Sequence, residues 1–225
     1  MTPPVLGKRL AIFDCDGTLV DSQADICAAM DGAFVAAGLT PPDRNRTRRI
    51  VGLSLPEAMR RLNPEGSEKD HAALAQNYRD AFRVRRAAGQ VAEPLYDGIA
   101  ALIEELAGAG WLLGVATGKS DRGLVHCLET HGLTGHFITL QTADRHPSKP
   151  HPSMIEACLA DAGVSVGETA MIGDTSFDME MAVNAGVRAI GVDWGYHHPR
   201  DLVDAGAEAV AGSIAELRLL LKGME

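Results

Sequence analysis

Asp14 and Asp16 stand one residue apart at the end of an apolar run, in LAIFDCDGTLVDS, and are followed at once by Gly17 and Thr18. Side chains two positions apart on an extended segment project to the same side, so the two carboxylates can work on one reacting centre. Such a pair divides the labour of phosphoryl transfer: one carboxylate stays ionised and attacks phosphorus, and the other hands a proton to the leaving oxygen. Gly17 lets the backbone turn and approach a phosphate closely. Three later stretches carry matching chemistry: ATGKS with Thr117, Gly118 and Lys119, SKPHPS with Lys149, and GDTSFD with Asp174 and Asp178. Thr117 offers a hydroxyl and Lys149 a cation, both suited to phosphoryl oxygens. Four acidic groups on one crest repel one another unless a cation neutralises them. Hard carboxylate oxygens suit Mg²⁺, which takes one or two carboxylates together with a substrate phosphate.

For these stretches to meet, each must follow a strand of one parallel sheet, because ligands bind at the carboxyl ends of such strands. Apolar runs rich in β-branched residues occur at 9–14, 111–117, 136–141, 169–173 and 188–193, and helical periods lie near 98–109, 122–131, 153–162 and 177–185. The alternation predicts a Rossmann-like α/β core with a parallel sheet covered on both faces, closed by an amphipathic helix in SIAELRLLLKG. Residues 20–92 break the rhythm: SQADICAAMDGAFVAAGL, LSLPEAMRRL and DHAALAQNYRDAFRVRRAAG are helical in period, with loops between them. The predicted organisation is a catalytic core of residues 1–19 and 93–225 with an inserted α-helical cap, 20–92.

The net charge of −9 disfavours a general nucleic-acid surface. It is unevenly placed, since residues 20–92 hold 11 Lys+Arg against 9 Asp+Glu, a net of +2 that leaves −11 for the rest. The opening MTPPVLGKRL has no apolar h-region and no long apolar run follows, which predicts a cytoplasmic protein without a membrane partner. The four cysteines lack metal-like spacing and read as reduced thiols. His197 and His198 in GYHHP have no partner at zinc-ligand spacing and read as loop residues. Taken singly, Asp16, Asp174 and Asp178 suit turns or helix caps and Lys149 a solvated surface; four stretches together do not.

DCDGTLVDS, ATGKS, SKPHPS and GDTSFDM, in that order with a helical segment between the first two, resemble the haloacid dehalogenase superfamily of phosphatases. The nearest subgroup is the phosphoglycolate phosphatase-like one with a helical cap, and the resemblance covers essentially the whole chain. It implies a Mg²⁺-dependent hydrolysis of a small phosphorylated metabolite, with phosphoglycolate as the default substrate. Asp14 would be the nucleophile and Asp16 the general acid, later the base that activates water; Thr117 would bind the phosphoryl group and Lys149 orient it. Asp14, the Asp16 carbonyl and Asp174 would hold the metal, with Asp178 supporting its waters or Lys149. Candidate substrate contacts are Gly17, Thr18, Gly118 and Lys119, with Arg49 and Gly52 from the cap loop in RNRTRRIVGLSL, where Arg49 is the candidate for an anionic tail. Cys15 is smaller than the bulky residue expected between the two aspartates. A sugar phosphomutase of the β-phosphoglucomutase type would need the same nucleophile and acid. A phospho-acceptor signalling module shares the acidic crest, but it has no task for Asp16 and no use for a cap.

Overall fold

A computed structural model describes residues 8–224. Most of MTPPVLGKRL, the start of the core as read from residue 1, and Glu225 lie outside the described residues. Six strands form one all-parallel sheet: β1 (Leu10–Phe13), β2 (Leu112–Thr117), β3 (Thr139–Thr142), β4 (Thr169–Gly173), β5 (Arg188–Val192) and β6 (Ala209–Ala211). Their order is β3-β2-β1-β4-β5-β6, so the winding reverses between β1 and β4 and a crevice opens there at the carboxyl ends. Phe13 pairs with Val115 on one side and Ile172 on the other, which brings the segments after β1, β2 and β4 out at one level.

Alternate residues of the central strands enter opposite cores, as the two-residue period of a strand requires. Ala11, Phe13, Leu113, Val115, Ala170 and Ile172 join α5 (Ile99–Gly108), α6 (Asp121–Thr130) and α10 (Ile214–Lys222) on one face. Leu10, Ile12, Ala116 and Met171 join α7 (Ser153–Ala162), α8 (Ser176–Ala185) and α9 (Pro199–Asp204) on the other. Both faces are thus sealed by helices, and β1 is fully buried along its length. This is the α/β architecture expected from the alternating pattern.

Between β1 and α5 lies a helical insert: α1 (Gln23–Ala36), α2 (Arg44–Arg48), α3 (Leu55–Leu62) and α4 (Glu68–Ala87). The 20 residues of α4 start at a capping box, in which Ser67 Oγ and the Asp70 carboxylate satisfy each other's backbone N–H groups. Met30, Phe34, Met59, Leu62 and Leu74 form a separate apolar cluster, and Phe177 from α8 of the core packs into it.

Four elements differ from expectation, one of them α2, which forms in a stretch that reads as loop between the helical segments. The third strand starts at Thr139 instead of 136, because Thr134–His136 forms a turn of 3₁₀ helix. The short α9 and β6 lie outside the predicted pattern, being six and three residues long, too brief to show a period. Among the described residues no helix is long and apolar enough to cross a membrane.

Candidate active site

The crest of the sheet gathers four carboxylates, with the Lys149 ammonium buried among them and the Lys119 ammonium on Asp16. Asp14, Asp174 and Asp178 are fully buried, Lys149 is 1% exposed and Asp16 7%. Lys149 Nζ lies 3.0 Å from Asp14 Oδ1 and 2.6 Å from Asp178 Oδ1, so the one cation compensates two acids. Asp178 divides its oxygens, because Oδ2 accepts from the backbone N–H and hydroxyl of Thr175 and closes the capping box that starts α8. Its roles as helix cap and as partner of Lys149 therefore coexist.

Asp174 follows β4 and is held from both sides. Thr18 Oγ1 donates to its Oδ1 at 2.8 Å, and the Tyr196 N–H donates to Oδ2 at 2.9 Å. Gly17 makes room for it: a Cβ there would sit 2.2 Å from Asp174 Oδ2, and the backbone φ of +86° suits glycine in any case. Gly17 and Thr18 therefore brace Asp174 behind the cavity.

Asp14 Oδ1 accepts from the Cys15 N–H at 2.7 Å as well as facing Lys149, whereas its buried Oδ2 has no hydrogen-bond partner among the described residues. Burial raises its pKa to about 7, helped by Asp178 and Asp16 and opposed by Lys149. Burial likewise pushes Asp174 well above the usual carboxylate range, reinforced by Asp178 and Asp14. Ligand oxygens of Asp14, Asp174 and Asp178 all lie within 4.8 Å of one another. Three buried carboxylates this close together, with one ammonium between two of them, fit a hard divalent cation. The Asp16 side chain stands outside this trio: its Oδ1 accepts from Ser22 Oγ and, at 2.6 Å, from Lys119 Nζ, and no described residue donates to its Oδ2.

A cavity of about 710 Å³ opens above the crest, between sheet and insert. Asp14, Asp16, Thr117, Gly118 and Lys119 line its floor, and Gly52 its roof. The Thr117 side chain is buried and its Oγ1 accepts from the Lys119 N–H. Gly118 lies under the insert, since a Cβ there would be 2.7 Å from the carbonyl oxygens of both Gly52 and Leu53. The Ser54 N–H donates to Ser148 Oγ at 2.8 Å beside Lys149, a second tie across the gap. Arg49 is not on this cavity. It lines another, with Arg61, Phe177 and His197. The guanidinium groups that do border the larger cavity include Arg79, Arg83 and Arg122.

Several residues at the crest carry no signal in isolation. A Cβ on Gly195 would meet Asp174 Cβ at 2.2 Å, and Tyr196 adds its hydroxyl 3.0 Å from Ser22 Oγ. Ser22 belongs to the DGTLVDS stretch, which was its only available signal. Glu93 and Arg79 have none.

Comparison with known proteins agrees with this geometry. The profile of the family described as haloacid dehalogenase-like hydrolase matches residues 11–192, and the chain belongs to that family. Among curated relatives, the probable phosphatase IndB of Dickeya dadantii is 37% identical over 94% of this chain and 96% of its own. A Vibrio parahaemolyticus phosphoglycolate phosphatase is 29% identical over 93% and 94%. The crystal structure of a predicted phosphatase from Clostridium acetobutylicum superposes with a TM-score of 0.85 at 26% identity, covering 96% of this chain and 99% of that one. The protein is thus a hydrolase of this family, similar to phosphoglycolate phosphatases.

Proposed function

We propose that the protein hydrolyses a small phosphate monoester in two steps, with the phosphoryl group carried in between on Asp14. The observation that supports this most is the accounting of crest oxygens. Described residues donate to both oxygens of Asp174 and of Asp178 but to one oxygen only of Asp14 and of Asp16. The two oxygens left for a substrate thus belong to two different carboxylates lining one cavity.

Asp14 attacks phosphorus through its unpartnered oxygen while Lys149 holds the other, and Asp16 protonates the departing alkoxide. Asp16 then takes a proton from the water that releases phosphate. Thr117 and the backbone at Gly118 receive the phosphoryl oxygens. Mg²⁺, held by Asp14, Asp174 and the Asp16 carbonyl with Asp178 in support, would neutralise charge on the transferring group. Residues 20–92 serve as the cap and the remainder as the catalytic core. By this reading the cap lies over Gly118 and excludes water. Four buried free cysteines suit a reducing, cytoplasmic setting.

Phosphoglycolate is the first substrate to test, on the similarity to phosphoglycolate phosphatases. The cavity also accommodates larger leaving groups, being well within the range of about 300–1,000 Å³ typical of small-molecule sites. The test is phosphate release with Mg²⁺ from phosphoglycolate, hexose phosphates and nucleotides, comparing the intact protein with Asp14→Asn. Release that requires both Mg²⁺ and Asp14 is expected. Isomerisation of a sugar phosphate without release would replace this reading by a phosphomutase, and inactivity on the whole panel would end it.

A further inference from the structure

We infer that Glu93 is a positioning residue for Asp16, acting through Lys119, and that the returning linker thereby couples the seating of the insert to the alignment of the acid. Two linkers join insert and sheet, and they run side by side. The Asp21 N–H donates to Pro94 O at 2.8 Å, the Tyr96 N–H donates to Leu19 O at 3.0 Å, and Val20 bridges Leu95 in antiparallel fashion. Glu93 sits at this junction with φ +38°, the one non-glycine residue with positive φ among the described residues. A glutamate in that conformation is strained, and such strain persists only where surrounding contacts impose it.

The contacts are specific. The N–H groups of Ala92 and Glu93 donate to Asp25 Oδ2, Arg85 donates to Asp25 Oδ1, and His131 Nε2 lies 2.8 Å from Glu93 O. They bury the Glu93 carboxylate, 5% exposed, between two cations: Lys119 Nζ at 2.7 Å from Oε1 and Arg86 at 2.7 Å from Oε2. Lys119 in turn bonds Asp16 Oδ1. With Glu93 in place, Lys119 is shared between two acids and cannot swing to the phosphoryl site. Asp16 Oδ1 is then fixed by Lys119 and Ser22, which leaves Oδ2 for the leaving oxygen. Arg86 belongs to the last turn of α4, so displacement of the insert would pull on the same carboxylate. What these contacts fix in common is the position of one ammonium beside the acid.

This inference rests on the reading of Asp16 as general acid, and leaving-group dependence tests the two separately. The measurement is kcat/KM, which reports the first step, for an alkyl phosphate ester and for 2,4-dinitrophenyl phosphate, whose leaving oxygen needs no proton. Glu93→Gln should lower kcat/KM on the alkyl ester by roughly 10- to 100-fold and on the dinitrophenyl ester by less than about 3-fold. Lys119→Met should show the same split, and the double variant should be no worse than Lys119→Met alone, because the two act in series. Glu93→Asn, which tolerates positive φ, replaces Glu93→Gln should the latter misfold. Equal losses on both esters, an additive double variant, or no loss would overturn the inference. If Asp16→Asn itself shows no leaving-group split, the acid reading fails and takes the inference with it; if it shows the split and Glu93→Gln does not, only the inference falls.

Discussion

On the sheet side of the cavity Asp174 and Asp178 have both oxygens matched, by Thr18 and the Tyr196 N–H on the first and by Lys149 and Thr175 on the second, and Lys149 also holds one oxygen of Asp14. On the insert side the polar groups are looser. The exposed Arg83 pairs with Asp80 of its own helix, and Arg79 borders the cavity among apolar neighbours such as Met30, Leu53 and Phe82. Removing one member of a buried, mutually compensated set leaves a charge unpaired, whereas an exposed arginine can be exchanged at little cost to the fold. By the proposed reading, the sheet side is committed to one chemistry and the insert side can vary with the leaving group.

Mutations can break that contrast in order of severity. Asp14→Asn should abolish turnover, by roughly 10⁴-fold or more as expected for a covalent nucleophile, with the fold intact by circular dichroism. Lys149→Met strands Asp14 and Asp178, and denaturant titration of the metal-free protein should show a loss of about 3–5 kcal/mol. Gly118→Ala drives a methyl group into the carbonyls of Gly52 and Leu53; overpacking of this kind costs about 1–3 kcal/mol, and here it should also raise KM.

The pH dependence sharpens the same contrast. Asp14 titrates near 7 when folded and metal-free, against an ordinary 3.8. Between those values the folded chain holds a proton that the unfolded chain has released, so this contribution to stability is complete below the lower value and is lost as pH rises through the upper one. A divalent ion competes with that proton, so the gain in melting temperature from added Mg²⁺ should be a few degrees larger at about pH 7.5 than at about pH 5. The smallest effect should come from Arg79→Ala. Stability should change by less than about 0.5 kcal/mol, with KM rising only for substrates whose leaving group is anionic.

The crest was legible in the sequence because three of its four motifs end strands, SKPHPS lying just before α7 instead, and the sheet brings strand ends together. Asp14, Thr117 and Asp174 need only that rule. What stayed hidden depends on the tertiary direction of single side chains. Arg49 follows a five-residue helix, too short for its basic run to reveal which way each arginine points, and it lines a different cavity. Lys119, read as a substrate contact, is bonded to Asp16 and Glu93, and nothing near Glu93 in the chain announces that partner. Gly195 and Tyr196 act on Asp174 from 21 and 22 residues away, through a loop whose pattern only suggested a turn.

Phe177 has a consequence for anyone who would transplant the insert. Its ring fills the interior of the helical cluster although it is carried by a core helix, one residue before Asp178. An insert exchanged with that of a relative by cutting at its two linkers would meet a foreign plug in its own interior. Chimeras that exchange position 177 along with the helices should fold, and those that leave it behind should inherit a hole or a clash next to the residue that holds Lys149.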